Sequence, residues 1–74
     1  MAAVLHVLDG RDADLALATI AAQLAAGDHV AVALLPDAPA PKLPPDVAVR
    51  RVPDDLSYDQ LLDLIFASDQ VTAW

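Results

Sequence analysis

Residues 4–35 read VLHVLDGRDADLALATIAAQLAAGDHVAVALL, and the change of period inside this stretch decides the fold. Val4 to Leu8 is a short, nearly all-apolar run containing β-branched residues and closed by Asp9 and Gly10, the pattern of a strand covered on both faces. Asp12 or Asp14 then caps a helix whose body, Leu15 to Ala26, consists of strong helix formers, with Gly27 just beyond it as a left-handed stop. His29 to Leu35 repeats the character of the first strand. Strand, helix and strand in this order make a β-α-β unit, whose strands pair in parallel through a right-handed crossover.

Outward from this unit, residues 36–45 (PDAPAPKLPP) contain five prolines, which remove backbone donors and favour extended, polyproline-like geometry. This stretch reads as a semi-rigid connector. Val47 to Val52 follows as a third strand, with Arg50 and Arg51 giving it a wetter face and an edge position. Ser57 with Gln60 three residues on forms a capping box, flanked by Leu56 and Leu61 as a hydrophobic staple, so a second helix starts there and runs to about Ser68. On it Tyr58, Leu61, Leu62 and Ile65 are expected to line the buried face, with Asp59 and Asp63 opposite. Gln70 to Trp74 is the fourth strand. The expected fold is α/β: one domain, residues 1–74, with a small, mostly parallel four-stranded sheet and two main helices in β-α-β-β-α-β order, Rossmann-like.

The first helix has an unusual surface. Asp12, Thr19 and Gln23, with the small Ala16 and Ala26, fall at spacings of three and four and form one narrow polar stripe; the rest is apolar. Such a helix either lies deep against a sheet or presents a second apolar side to a neighbour.

Composition sharpens that point. A 74-residue chain buries only about 60% of its unfolded surface and is marginal alone. Yet 57% of its residues are hydrophobic, with a mean hydropathy of +0.45, and no apolar run approaches the roughly 20 residues that span a bilayer. The excess must be buried elsewhere, which points to an oligomer. Four Lys and Arg against eleven Asp and Glu leave a net charge of −7 and an isoelectric point near 4.2; this disfavours direct nucleic-acid binding, and no basic stripe exists for an anionic membrane. With no cysteine and no basic segment before the first apolar run, the expectation is a cytoplasmic protein.

The absence of cysteine also excludes a thiolate nucleophile, a persulfide carrier and a redox pair. His6 and His29 both lie on expected strands and lack the clustered ligands of a metal site; His6 is either a hydrogen-bonded core residue or an acid or base. Neither Ser57 nor Ser68 stands in a nucleophile elbow, and two glycines are too few for a dinucleotide fingerprint or a phosphate loop. No cofactor is expected. In an open parallel sheet the ligand crevice lies beyond the carboxyl ends of the strands, so Asp9, Gly10, Arg11 and Trp74 should gather there. Asp9 and Arg11 either pair with each other as a turn feature or contact a partner or small ligand. Trp74 is either a rim residue packed on the second helix or an aromatic anchor of an interface.

Two segments together carry a family resemblance. The opening VLHVLDG, followed by a helix and LAAGDHVAVALL, resembles the start of the DsrH/TusB family of small sulfur-relay subunits. The ending YDQLLDLIFASDQVTAW is similar to that family's terminal segment at Tyr58, Asp63, Leu64, Asp69, Val71, Ala73 and Trp74, with His6 matching in the opening. The resemblance implies a DsrE-like α/β fold and a hetero-oligomer with homologous DsrE/DsrF-like or TusC/TusD-like subunits. Such assemblies hand sulfur on as a persulfide, for 2-thiolation of the wobble uridine of certain tRNAs or for cytoplasmic sulfur oxidation. The carrying cysteine lies on a partner subunit; where DsrH members also have one, it falls near Ile20, and here it is absent. The connector is also shorter than the family's helix-and-loop middle. The implied role is a non-catalytic subunit, with Asp9, Arg11, Tyr58, Asp69 and Trp74 as candidate partner-binding residues. Two other readings compete: a homo-oligomeric scaffold without sulfur chemistry, and a truncated relative of a glycosyltransferase N-terminal domain, which LPPDVAVRRVP resembles, although that enzyme needs a second domain for its nucleotide sugar.

Overall fold

The computed structural model describes residues 2–11, 13–39 and 42–74. Six elements follow in order: β1 (Ala3–Leu8), α1 (Ala13–Ala25), β2 (His29–Leu34), β3 (Ala48–Arg51), α2 (Tyr58–Ala67) and β4 (Gln70–Ala73). All strand pairs are parallel, and the sheet order is β3-β2-β1-β4. The chain steps outward from β1 through β2 to β3, then returns to the other side of β1, so the topology reverses between β1 and β4.

That reversal puts the two helices on opposite faces. Alternation along β1 sends Leu8 to one side, where it joins Ala16 and Ile20 of α1 with Val30, Val32 and Leu34 of β2. Leu5 points to the other side and joins Ala33, Val52 and Leu61, with Leu56, Leu64 and Ile65 packed against them. Each face thus has its own core, and the sheet is the middle of three layers.

The local signals in the sequence form as chemistry requires. Gly27 has φ +88°; its N–H donates to Leu24 O at 3.0 Å and the Asp28 N–H to Gln23 O at 3.0 Å, the paired bonds of a Schellman stop. Ser57 caps α2: its Oγ accepts from the Gln60 N–H at 3.1 Å while Gln60 Oε1 accepts from the Ser57 N–H at 2.9 Å. Asp14 lies in the first turn of α1 rather than capping it, and Asp12 is outside the described residues.

The connector is less extended than its prolines imply. Leu35 to Ala38 closes a turn with Pro36 second and Asp37 at φ +67°, the Ala38 N–H donating to Leu35 O at 3.0 Å, as in a type II turn. Ala38 is then buried in the α1-side core and Leu43 packs against it. Arg51 Nη1 ties the stretch down by donating to Ala38 O at 3.0 Å. Where a second helix would cover β2 and β3 on this face, the connector does so instead.

Two corrections concern the helices. Ala16 and Gln23 of the expected polar stripe turn toward the sheet, and Thr19 is half-buried; the outward side of α1 carries Leu15, Ala18, Ala22 and Ala25, all exposed. On α2 the buried arc is Leu61, Leu64 and Ile65, while Tyr58 and Leu62 are exposed at 58% and 51%. Apolar residues occupy more of each helix than the sheet can cover.

Three substitutions measure these local devices by urea denaturation. Gly27→Ala should cost about 1 kcal/mol, the left-handed penalty alone, because an added Cβ meets nothing within 4 Å. Gly10→Ala should cost more, since at φ +97° the Cβ would also stand 2.8 Å from Pro39 Cδ. Ser57→Ala should cost about 1 kcal/mol.

Candidate functional site

The reversal between β1 and β4 sets their carboxyl ends side by side, where Asp9, Gly10 and Arg11 leave β1 and Trp74 follows β4. Asp9 and Arg11 use each other. Asp9 Oδ1 accepts from the Arg11 N–H at 3.0 Å, and Oδ2 accepts from Nε at 2.9 Å and lies 2.8 Å from Nη2. The backbone hydrogen bond from Arg11, followed by its side-chain hydrogen bond and charge, holds the Asp9 carboxyl below the usual carboxylate range. The turn is therefore supported above that range and loses this support as pH falls through the lowered value. With the Arg11 side chain 83% exposed, the pair is a solvent-screened turn feature.

Trp74 turns to one face of the sheet. Thr72 is the register partner of His6, so Trp74, two residues on, faces the α1 side. There it joins the core around Leu8 and Val32 and not α2, which corrects the first of its two readings, a rim residue packed on the second helix. Its ring stacks on His6, with centroids 6.0 Å apart and planes 19° from parallel. Trp74 Nε1 donates to His6 Nδ1 at 2.9 Å, and His6 Nε2 lies 2.6 Å from Gln23 Oε1.

Chemistry fixes the direction of this chain. Indole N–H only donates, so Nδ1 must accept, and the imidazole proton sits on Nε2, which donates to Gln23 Oε1. His6 is 0% exposed with both ring nitrogens engaged, so no lone pair is free to take a proton from a substrate. Among the described residues no buried side-chain nitrogen or oxygen lacks a partner, and no group of three His, Asp or Glu residues is placed to hold a metal ion.

The remaining candidates are Asp69 and Tyr58. Asp69 is at the opposite end of the sheet, where its N–H donates to Ala3 O at 2.8 Å and its Oδ2 accepts from the Ala3 N–H at 2.8 Å. Asp28 Oδ1 accepts from the Ala2 N–H at 3.1 Å, beside an open concavity of about 600 Å³ that also touches His29 and Asp46. Tyr58 begins α2 on the outer surface. The five candidate residues therefore form no single site: Asp9, Arg11 and Trp74 gather at the carboxyl ends of the strands, Tyr58 starts α2 on the face of the sheet opposite Trp74, and Asp69 lies at the amino ends. Ile20 is fully buried against the sheet.

His6 is the hydrogen-bonded core residue that was one of its two readings; what sequence reasoning missed are its partners, Gln23 and Trp74. A signal existed: an indole buried at a strand end needs an acceptor, and His6 was the nearest strand residue of the same parity as Val4 and Leu8. Among the described residues no helix is long and apolar enough to cross a membrane. Comparison with family models, with curated proteins and with solved structures finds no match.

Removing either end of the hydrogen-bonded chain strands a buried polar atom. Trp74→Phe and Gln23→Leu should each lower stability by about 1–3 kcal/mol, and His6→Leu combined with Trp74→Phe should cost less than the sum of the two singles. Nitrogen-15 NMR of His6 should report the Nε2–H tautomer. An Nδ1–H signal would contradict the assigned direction.

Proposed function

We propose that this chain is a non-catalytic subunit of a sulfur-relay hetero-oligomer of the DsrH/TusB kind, serving tRNA wobble-uridine 2-thiolation or cytoplasmic sulfur oxidation. The persulfide stays on a cysteine of a homologous DsrE-like partner, and this chain supplies surface. The observation that carries the reading is an apolar side of α2 left uncovered next to a sheet edge. Tyr58 and Leu62 are exposed at 58% and 51%, and Val71 of β4 at 41%. Gln60, Asp63 and Ala67 look toward β2 and β3, where they share a groove with Ala31 and Ala48. The helical period therefore turns Tyr58 and Leu62 toward β4.

β4 is an edge strand, so along its free side the backbone offers N–H and C=O groups as well as the Val71 side chain. A partner that adds a strand or lays an apolar face there would bury both kinds of surface. The two segments that resemble the family also meet in space, since His6 of the opening and Trp74 of the ending are bonded to each other. Residues that carry the resemblance at both ends of the chain thus serve one packed unit that needs no reactive group of its own. The cytoplasm, where thiols stay reduced, is the compartment this role requires.

Co-expression with two cysteine-bearing DsrE-like chains encoded beside this one should yield a single stoichiometric complex by light scattering. Leu62→Asp and Val71→Lys should each weaken that complex at least tenfold while leaving the chain folded, because both positions are half exposed or nearly so. Failure to form a complex, or a complex indifferent to both substitutions, would overturn the proposal. Loss of 2-thiouridine from tRNA on deleting the gene would assign the thiolation branch.

A further inference from the structure

One helix cannot cover four strands, and the uncovered floor beside α2 has a definite shape. Ala31 of β2 and Ala48 of β3 form its base, Gln60, Asp63 and Ala67 one wall, and Arg50 the rim, enclosing about 480 Å³. Small side chains on the floor leave room for a large one from outside. The same molecule carries such a side chain. Phe66 is 79% exposed, the most exposed of the large hydrophobic residues among the described ones; Asp59, Asp63 and Phe66 succeed one another at spacings of four and three, so Phe66 and Asp59 stand on the outward ridge of α2 and Asp63 between that ridge and the groove wall.

The charges match as well. Arg50 Nη1 donates only to Val49 O, at 3.2 Å, and among the described residues the guanidinium reaches no carboxylate; the ion pair found there is Asp9 with Arg11. Asp59 and Asp63 are exposed and likewise unpaired among the described residues. A knob flanked by two free carboxylates and a groove rimmed by a free guanidinium are complementary, and one chain owns both.

The geometry points to a second copy of this chain as the occupant: a two-fold dimer in which Phe66 of each protomer enters the groove of the other, with Asp59 and Asp63 against the opposite Arg50. Both contacts occur twice, as an isologous interface requires. A standard interface takes about 800 Å² from each partner, less than a fifth of this chain's 4535 Å². The surface is distinct from the β4 side of α2, so the dimer does not depend on the sulfur-relay reading and stands or falls separately from it.

The test uses the purified full chain and charge reversal. Sedimentation or light scattering between about 5 and 500 µM should show a concentration-dependent dimer, and Phe66→Asp should weaken it at least tenfold. Arg50→Glu alone, and Asp59→Arg with Asp63→Arg, should each weaken self-association to a similar degree. Mixing those two variants should restore a dimer, because every reversed charge then meets its opposite. Circular dichroism should show all variants folded, as the positions are exposed. A wild-type monomer across the whole range overturns the inference. So does a dimer untouched by Phe66→Asp, or a mixture of the reversed variants that stays monomeric.

Discussion

A buried imidazole must have both ring nitrogens satisfied, and the way His6 meets that requirement organises the molecule. It sits on β1, which pairs with both β2 and β4, completely removed from solvent. One nitrogen engages Gln23 of α1 and the other Trp74 at the end of the chain. Those partners stand 17 and 68 residues away in sequence, so the contact joins the first helix, a central strand and the last strand. It supplies to a short edge strand a tie that its few ladder bonds provide only weakly. Leaving any member unpaired costs more than the bond itself contributes, and this asymmetry makes a polar core contact specify one register and one helix orientation.

The second constraint is area. Three layers built from so few residues leave each outer layer too narrow for the middle one. On the α1 side the proline connector completes the cover by burying Ala38 and packing Leu43. On the α2 side nothing does, and a groove and an exposed edge remain on either flank of the helix. The outward apolar side of α1, with Leu15 at 60% exposure, adds to the imbalance. High hydropathy in the composition thus becomes located surface, concentrated on helix sides that the sheet is too small to reach.

Much of the fold was legible because its signals are local. Gly27 stops a helix, Ser57 with Gln60 starts one, and apolar runs of the right length between them make parallel strands whatever lies further away. The arginine pair marked β3 as an edge for the same reason. Which arc of each helix faces inward was not legible, because apolar residues occupy more than one face and periodicity alone cannot rank them. Gln23 looked like a solvent residue and turned inward, since only the fold brings His6 under it. Tyr58 and Leu62 looked buried and turned outward, since Leu61, Leu64 and Ile65 already fill the space above Leu5 and Ala33.

The placement of Trp74 changes how the candidate surface is understood. A lone terminal tryptophan invites the role of interface anchor, but its strand register assigns it to the α1 side, and its indole N–H is committed to His6. A half-buried side chain bonded to a core histidine holds β4 in place. The fold leaves Tyr58, Leu62, Phe66, Val71 and Arg50 exposed around α2, and Leu15 exposed on α1. Asp9 and Asp69 are already engaged by backbone N–H groups, so they act as fasteners of turns at opposite ends of the sheet. The polar residues that close the fold are thus those whose bonds are completed within it, while the apolar residues left open are those that a four-stranded sheet is too narrow to cover on either helix.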